Sequence, residues 1–138
     1  MEPTISLEKY EIEEITYSRI VDDSDFQSEN LQVSVKSGLT EDKKYGKVTL
    51  EAKFFDEEKN KKVSARISGY YTINVEEDSE KYIAINGTAI LFPYLRSAIS
   101  MISTLDSQDA VLIPTINVLS ILENQEEWRV FVMYCLQR

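Results

Sequence analysis

Apolar and polar residues alternate through much of the first half of the chain, the period of a strand with one dry face. Tyr10, Ile12, Ile15 and Tyr17 form a first such run, with Glu11, Glu13 and Glu14 on the wet side. The alternation slips at the Glu13-Glu14 pair, which predicts a β-bulge. A polar connection, Asp22-Asp23-Ser24-Asp25, follows and leads into Phe26, an aromatic residue in otherwise polar surroundings. Leu31, Val33 and Val35 then alternate with Gln32, Ser34 and Lys36. Val48, Leu50, Ala52 and Phe54 alternate with Lys47, Thr49, Glu51 and Lys53, and Val63, Ala65, Ile67, Gly69, Tyr71, Ile73 and Val75 with Ser64, Arg66, Ser68, Tyr70, Thr72 and Asn74. Turn compositions at 37–44 and 56–60 separate these runs. Four strands with one apolar face predict an antiparallel sheet whose dry side needs a cover.

The cover is predicted to come after the acidic stretch Glu76-Glu77-Asp78-Ser79-Glu80. Leu91, Leu95, Ala98, Ile102 and Leu105 recur at three- and four-residue steps, the spacing of one helix face. The helix is expected to begin between Thr88 and Pro93, since a first-turn proline loses no intrahelical bond, and to end at Asp106-Ser107-Gln108-Asp109. Its other face is unusual. Tyr94, Ser97, Ser100, Met101 and Thr104 are uncharged where a solvated helix would carry Lys and Glu, and Arg96 is the only charge between Tyr82 and Leu105. Such a helix is expected to be covered on both sides, by its own sheet and by another protein surface. Burial inside one monomer is the competing reading, because small residues suit close packing in either case. A membrane span is disfavoured by Asn86, Pro93, Arg96 and the run of serines and threonines.

Ala110-Val111-Leu112-Ile113-Pro114 is an apolar loop where a connection should face water. A short second helix is predicted from Thr115 or Asn117, either of which could cap it, to about Leu122. Trp128 to Leu136 is apolar on both alternating positions, so periodicity leaves strand and helix open. Its strand formers, Trp128, Val130, Phe131, Val132 and Tyr134, favour an added C-terminal strand. The expected class is therefore α+β, a four-stranded antiparallel sheet with two helices on one face. A length of 138 residues fits a single domain.

Charge and composition narrow the function. The net charge of -9 argues against nucleic acid and anionic membrane surfaces, both of which call for clustered Lys and Arg. Most charge precedes Tyr82, which leaves the second part of the chain free to make apolar contacts. The chain has no histidine, which removes Ser-His and Cys-His nucleophile pairs, histidine-containing zinc sites and histidine pH switches. No cofactor or metal is expected. The single cysteine, Cys135, sits in an apolar run and reads as an inert core thiol. The first residues show neither a basic nor an apolar leader region, so a cytoplasmic location is expected.

Ile90-Leu91-Phe92-Pro93-Tyr94-Leu95-Arg96 opening a small-residue helix, then Leu112-Ile113-Pro114, then Ile116-Asn117-Val118-Leu119, all after the strands, resembles the SecB family of export chaperones over roughly Tyr10 to Leu122. Phe26-Gln27 falls where that family has an aromatic crossover loop. The resemblance implies an ATP-independent holdase assembled as a dimer of dimers, with the long helices sandwiched between subunits. It implies that unfolded polypeptide, an antitoxin or a preprotein for export, lies in apolar grooves. By position the groove candidates are Phe26, Leu31, Val33, Val35, Leu112, Ile113, Leu119 and Leu122, and the subunit-interface candidates are Tyr94, Ser97, Ser100, Met101 and Thr104. Plain core packing competes with this role, evenly for the strand residues and less for Phe26 and the 110–113 loop, since an apolar loop outside the sheet pattern needs a partner more than a strand residue does. The sequence departs from the family where acids near the end of the first strand contact the translocation motor: Arg19 stands at one of those positions and Asp23 at the other, which puts motor binding in doubt. The departure and the extra tail favour the relatives dedicated to an antitoxin.

Two other classes compete: an adaptor that binds one folded partner, and an enzyme that uses Glu11, Glu13 and Glu14, or Glu57 and Glu58, as acid-base carboxylates. Such charge runs are usually solvated faces, and no phosphate-binding loop or metal-ligand cluster supports catalysis.

Overall fold

The computed structural model describes residues 3–19, 31–56, 60–106, 110–114, 116–124 and 130–133. Phe26, Glu57, Glu58, Thr115 and Cys135 lie outside the described residues, as does Asp23. Strands β1 (Ile5–Ser18), β2 (Leu31–Thr40), β3 (Tyr45–Asp56) and β4 (Lys61–Ile73) form an antiparallel sheet, joined at the edge of β2 by β5 (Val130–Met133) in the order β1-β4-β3-β2-β5. β5 runs parallel to β2, with Ser37 opposite Val130 and Thr40 opposite Met133. The added strand foreseen from the valines and aromatics is thus present within the apolar run that predicts it.

β1 departs from regular pairing twice. Its register against β4 slips between Ile12 and Glu14, at the predicted glutamate pair, and also between Leu7 and Lys9, before the segment that the alternation marks out. Each slip inserts one residue, Glu8 or Glu13. The insertions keep Ile5 and Leu7, Tyr10 and Ile12, and Ile15 and Tyr17 opposite Ile73, Tyr71, Gly69, Ile67, Ala65 and Val63, all on the face that the helices cover. In an unbroken strand Tyr10 and Ile12 would point to the face opposite that of Ile5, Leu7, Ile15 and Tyr17.

The helical layer begins earlier than the sequence pattern predicts. α1 (Ser79–Tyr82) continues through a π-helical turn (Ile83–Gly87) into α2 (Thr88–Ser103). Asp78 enters α1 in the left-handed conformation, φ 58°, with no side-chain cap bond, so the start lacks the usual capping geometry. Pro93 lies well inside the helix on its exposed side, where water can serve the carbonyl that its missing N–H leaves open. The π turn shifts the phase of α2. The face on the sheet is Leu91, Phe92, Leu95 and Ile99, buried with Val48, Leu50, Ile67 and Tyr71. Of the predicted stripe, Leu91 and Leu95 are core, and Ala98 and Ile102 are half-buried. Leu105 lies past the helix end and is 80% exposed.

Helix and sheet approach closely because glycine permits it. A Cβ on Gly87 would stand 2.8 Å from Val48 Cγ2, and one on Gly69 would stand 3.0 Å from Leu91 Cδ1. The Tyr71 hydroxyl donates to the Gly87 carbonyl at 2.6 Å, and Thr88 Oγ1 donates to the Ala84 carbonyl at 2.6 Å, which satisfies two carbonyls in the π turn. Burial pushes the Tyr71 phenol well above its ordinary value, which keeps it a donor.

At the far end, buried Ser103 ties the helix to the loop after it. Its hydroxyl accepts from the Val111 N–H at 2.7 Å and donates to the Ser100 carbonyl at 2.9 Å, while buried Lys61 donates its ammonium to the Ser103 carbonyl at 2.9 Å. Val111 and Ile113 thereby enter the core, and Leu112 between them faces out. α3 (Val118–Asn124) then lies against β2, its first turn capped by Asn117 Oδ1, which accepts from the Ser120 N–H at 3.2 Å. No helix among the described residues is long and apolar enough to cross a membrane.

Candidate functional site

Among the described residues, two apolar surfaces remain on the helical side after the core is filled. The first is the outward side of α2 with the adjoining part of β1. Tyr94 stacks on Tyr10 with ring centroids 4.5 Å apart and planes 29° from parallel. Ile12, Ile90 and Met101 extend this surface, Met101 with 71% of its area exposed. Ser97 and Thr104 face solvent among them, whereas Ser100 is half-buried and donates its hydroxyl to the Val111 carbonyl at 3.1 Å. Arg96 is half-buried, and Thr104 turns its hydroxyl back to the Met101 carbonyl at 2.8 Å, so little charge interrupts the strip.

The second consists of Leu112 on the 110–114 loop and Leu119 on α3, the helix that lies against β2. Leu112 is 69% exposed and Leu119 51%, while Leu31 and Val33 are half-buried at the start of β2. The other described groove candidates are placed differently: Val35, Ile113 and Leu122 are buried in the core of this chain. Val35 lies under the helical layer, and Ile113 follows Val111 inward because Ser103 anchors the loop. Leu112 and Leu119 are thus the candidates that the fold leaves open.

A carboxylate links the two connections that flank this region. Asp106, just after α2, accepts from Arg19 Nε at 2.7 Å and from the Tyr17 hydroxyl at 2.8 Å. Arg19, followed by Tyr17, holds the Asp106 carboxyl below the usual aspartate range. Asn60 adds a bond to the Arg19 carbonyl at 3.1 Å. The contacts join the end of β1, the turn before β4 and the end of α2. No periodicity signals them, because Arg19 and Asp106 are partners only in the folded chain.

The opposite face of the sheet is polar and internally paired. The bulge at Glu13 aims its carboxylate at the Ser68 hydroxyl and at Arg66 Nε, the latter at 3.1 Å, with Lys47 at 3.8 Å. Arg66 also reaches Glu14 and Glu51, each at 3.6 Å. The bond from Ser68, then Arg66 and Lys47, hold the Glu13 carboxyl below its ordinary range. A general acid needs the opposite shift. Of the carboxylates that could pose as an acid-base pair, Glu13 and Glu14 are partners of Arg66 and Glu11 is a partner of Lys9 at 3.3 Å.

No protein-family model matches the chain. Over 68 residues it is 37% identical to an uncharacterised protein of Methanocaldococcus jannaschii, a match that spans 47% of this chain and 43% of that one. The chain thus covers less than half of that relative's length. Among solved structures it is similar to a SecB-like chaperone of Mycobacterium tuberculosis in complex with a ChAD peptide from an antitoxin. The TM-score is 0.58 at 9% identity, covering 83% of this chain and 88% of that one. It is also similar to a protein of unknown function from Streptococcus agalactiae, with a TM-score of 0.56 at 16% identity, over 80% of this chain and 97% of that one. These two likenesses are of fold.

Proposed function

We propose that this protein is a non-catalytic, ATP-independent holdase that binds unfolded or aggregation-prone polypeptide on the apolar surface formed by Leu112, Leu119, Leu31 and Val33. The observation that carries the reading is the exposure of Leu112, and of Leu119 on the helix that lies against β2, in a fold similar to that of a chaperone solved with an antitoxin peptide. Burying apolar client surface is worth about 25 cal/mol per Å², so a few such side chains give weak individual binding. Several sites on one particle then add through effective concentration.

The strip with Tyr10, Ile12, Tyr94, Ser97, Met101 and Thr104 supplies the means to multiply sites. In this reading it is the contact between copies of the chain, with Ser100 at its margin. A surface poor in charge and rich in Tyr, Ile and Met has the composition of an interface core. Phe26 belongs to the client surface by position in sequence. A client dedicated to this protein, such as an antitoxin, fits better than preproteins handed to a translocation motor. Arg19 places a cation where motor contact calls for an acid, and it is engaged with Asp106.

The test is suppression of aggregation. A chemically unfolded protein diluted from denaturant should stay in solution at near-equimolar ratio without nucleotide, and the protein should be larger than a monomer by mass. Unhindered aggregation would refute the holdase and favour an adaptor for a folded partner.

A further inference from the structure

We propose that the outer edge of β2 is an acceptor for an extended aliphatic and aromatic strand, and that β5 is its resident, displaceable occupant, so that client polypeptide competes with the chain's own segment around residues 130–133. The inference rests on the holdase reading and adds a binding mode and a competitor to it.

Three observations converge. β5 does not continue the antiparallel sheet but attaches parallel to it, over Ser37 to Thr40 of β2. Parallel pairing is somewhat weaker per residue than antiparallel, and a strand of four residues at a sheet edge is short by any standard. Such an attachment has few ladder bonds of its own to hold it and must close a long stretch of chain to form. The second observation is composition. Trp128-Arg129-Val130-Phe131-Val132-Met133-Tyr134-Cys135-Leu136 has one charge and a run of strand formers, the kind of segment that an unfolded client offers. The third is place. β2 carries Leu31 and Val33 of the proposed client surface, and α3 with Leu119 lies against the same strand. An extended client added at this edge would gain main-chain hydrogen bonds from β2 and side-chain contact with that surface, the logic of strand addition to an open sheet edge.

A resident occupant sets the affinity. If β5 covers the edge nine-tenths of the time, the apparent affinity for a competing strand falls roughly ten-fold. Such a device would restrain the protein from holding chains whose apolar content is modest, and would leave it open to those that outcompete a segment tethered to the same molecule.

The experiment compares the wild-type chain with the double variant Phe131→Pro, Val132→Pro, which removes two backbone donors from β5. The probe is reduced, carboxymethylated α-lactalbumin, a permanently unfolded protein. The variant is expected to bind it roughly ten-fold more tightly, with faster hydrogen exchange at the amides of Ser37 to Thr40. A synthetic peptide of residues 128–136 is expected to compete with the probe for wild-type protein. Equal binding by both proteins, with no competition by the peptide, would overturn the proposal while leaving the holdase intact. Absence of binding by either protein would overturn both. If the prolines prevent folding, the peptide competition decides alone.

Discussion

The Arg19 guanidinium and the Asp106 carboxylate meet at 2.7 Å although 87 positions separate them in sequence. The pair is half exposed, so its worth is modest and depends on pH. Because the folded state holds the Asp106 carboxyl below its ordinary value, its stabilisation is present above the usual aspartate range and is lost as pH falls through the depressed folded value. Asp106→Asn should therefore melt below the wild type near about pH 7, and the gap should close toward about pH 2. Thermal melts of both proteins across that range check this, and a gap independent of pH would show that the charge is not what matters.

Gly87 sets two effects against each other. Alanine is favoured over glycine in a helix by about 1 kcal/mol, but a Cβ here would lie 2.8 Å from Val48 Cγ2. Overpacking costs about 1–3 kcal/mol, so Gly87→Ala should be net destabilising, and Val48→Ala should relieve part of that cost in the double variant. Tyr71→Phe, which removes the hydroxyl bond to the Gly87 carbonyl, should cost about 1 kcal/mol. Denaturant unfolding measures all of these.

Neighbouring residues in the 110–114 loop should behave in opposite ways. Leu112→Asp is expected to change stability by less than about 0.5 kcal/mol and, together with Leu119→Asp, to weaken binding of an unfolded probe roughly ten-fold or more. Ile113→Asp places a charge in the core and should prevent stable folding. Circular dichroism beside a binding titration separates the two outcomes. Unchanged binding by the Leu112 and Leu119 variant would remove these residues from the client surface.

Tyr10 and Tyr94 offer a double-mutant cycle. Their stacking should show a coupling of about 0.5–1.5 kcal/mol to stability. Met101→Lys should leave stability nearly unchanged and shift the mass in solution toward monomer, since a solvated cation within the strip opposes its burial between copies. A particle that keeps its mass at all concentrations with Met101→Lys would place the contact elsewhere.

The sheet was legible because a face that is half dry writes its period into the sequence, and the slip at Glu13-Glu14 was visible in the same way. The slip at Glu8 was not, since Ile5 and Leu7 form too short a run to set a phase. The long helix misled at both ends. Asp78 starts it without a side-chain cap, and the β-branched residues Ile83 and Ile85 do not advertise a helix. At the other end Ser103 occupies a core position that periodicity would give to an apolar residue, because its hydroxyl and carbonyl are satisfied by Val111, Ser100 and Lys61. The candidate site was legible as a set of apolar residues off the sheet pattern. Which of them face out was not, because that depends on the anchoring of the loop by Ser103.

The paired insertions in β1 have one more effect. A straight, unbroken rim would invite further chains to stack along it without limit, the geometry from which fibrils grow. Glu8 and Glu13 interrupt the repeat and put acidic side chains at the breaks. The same breaks make the β1 rim a poor template for a further copy of the chain.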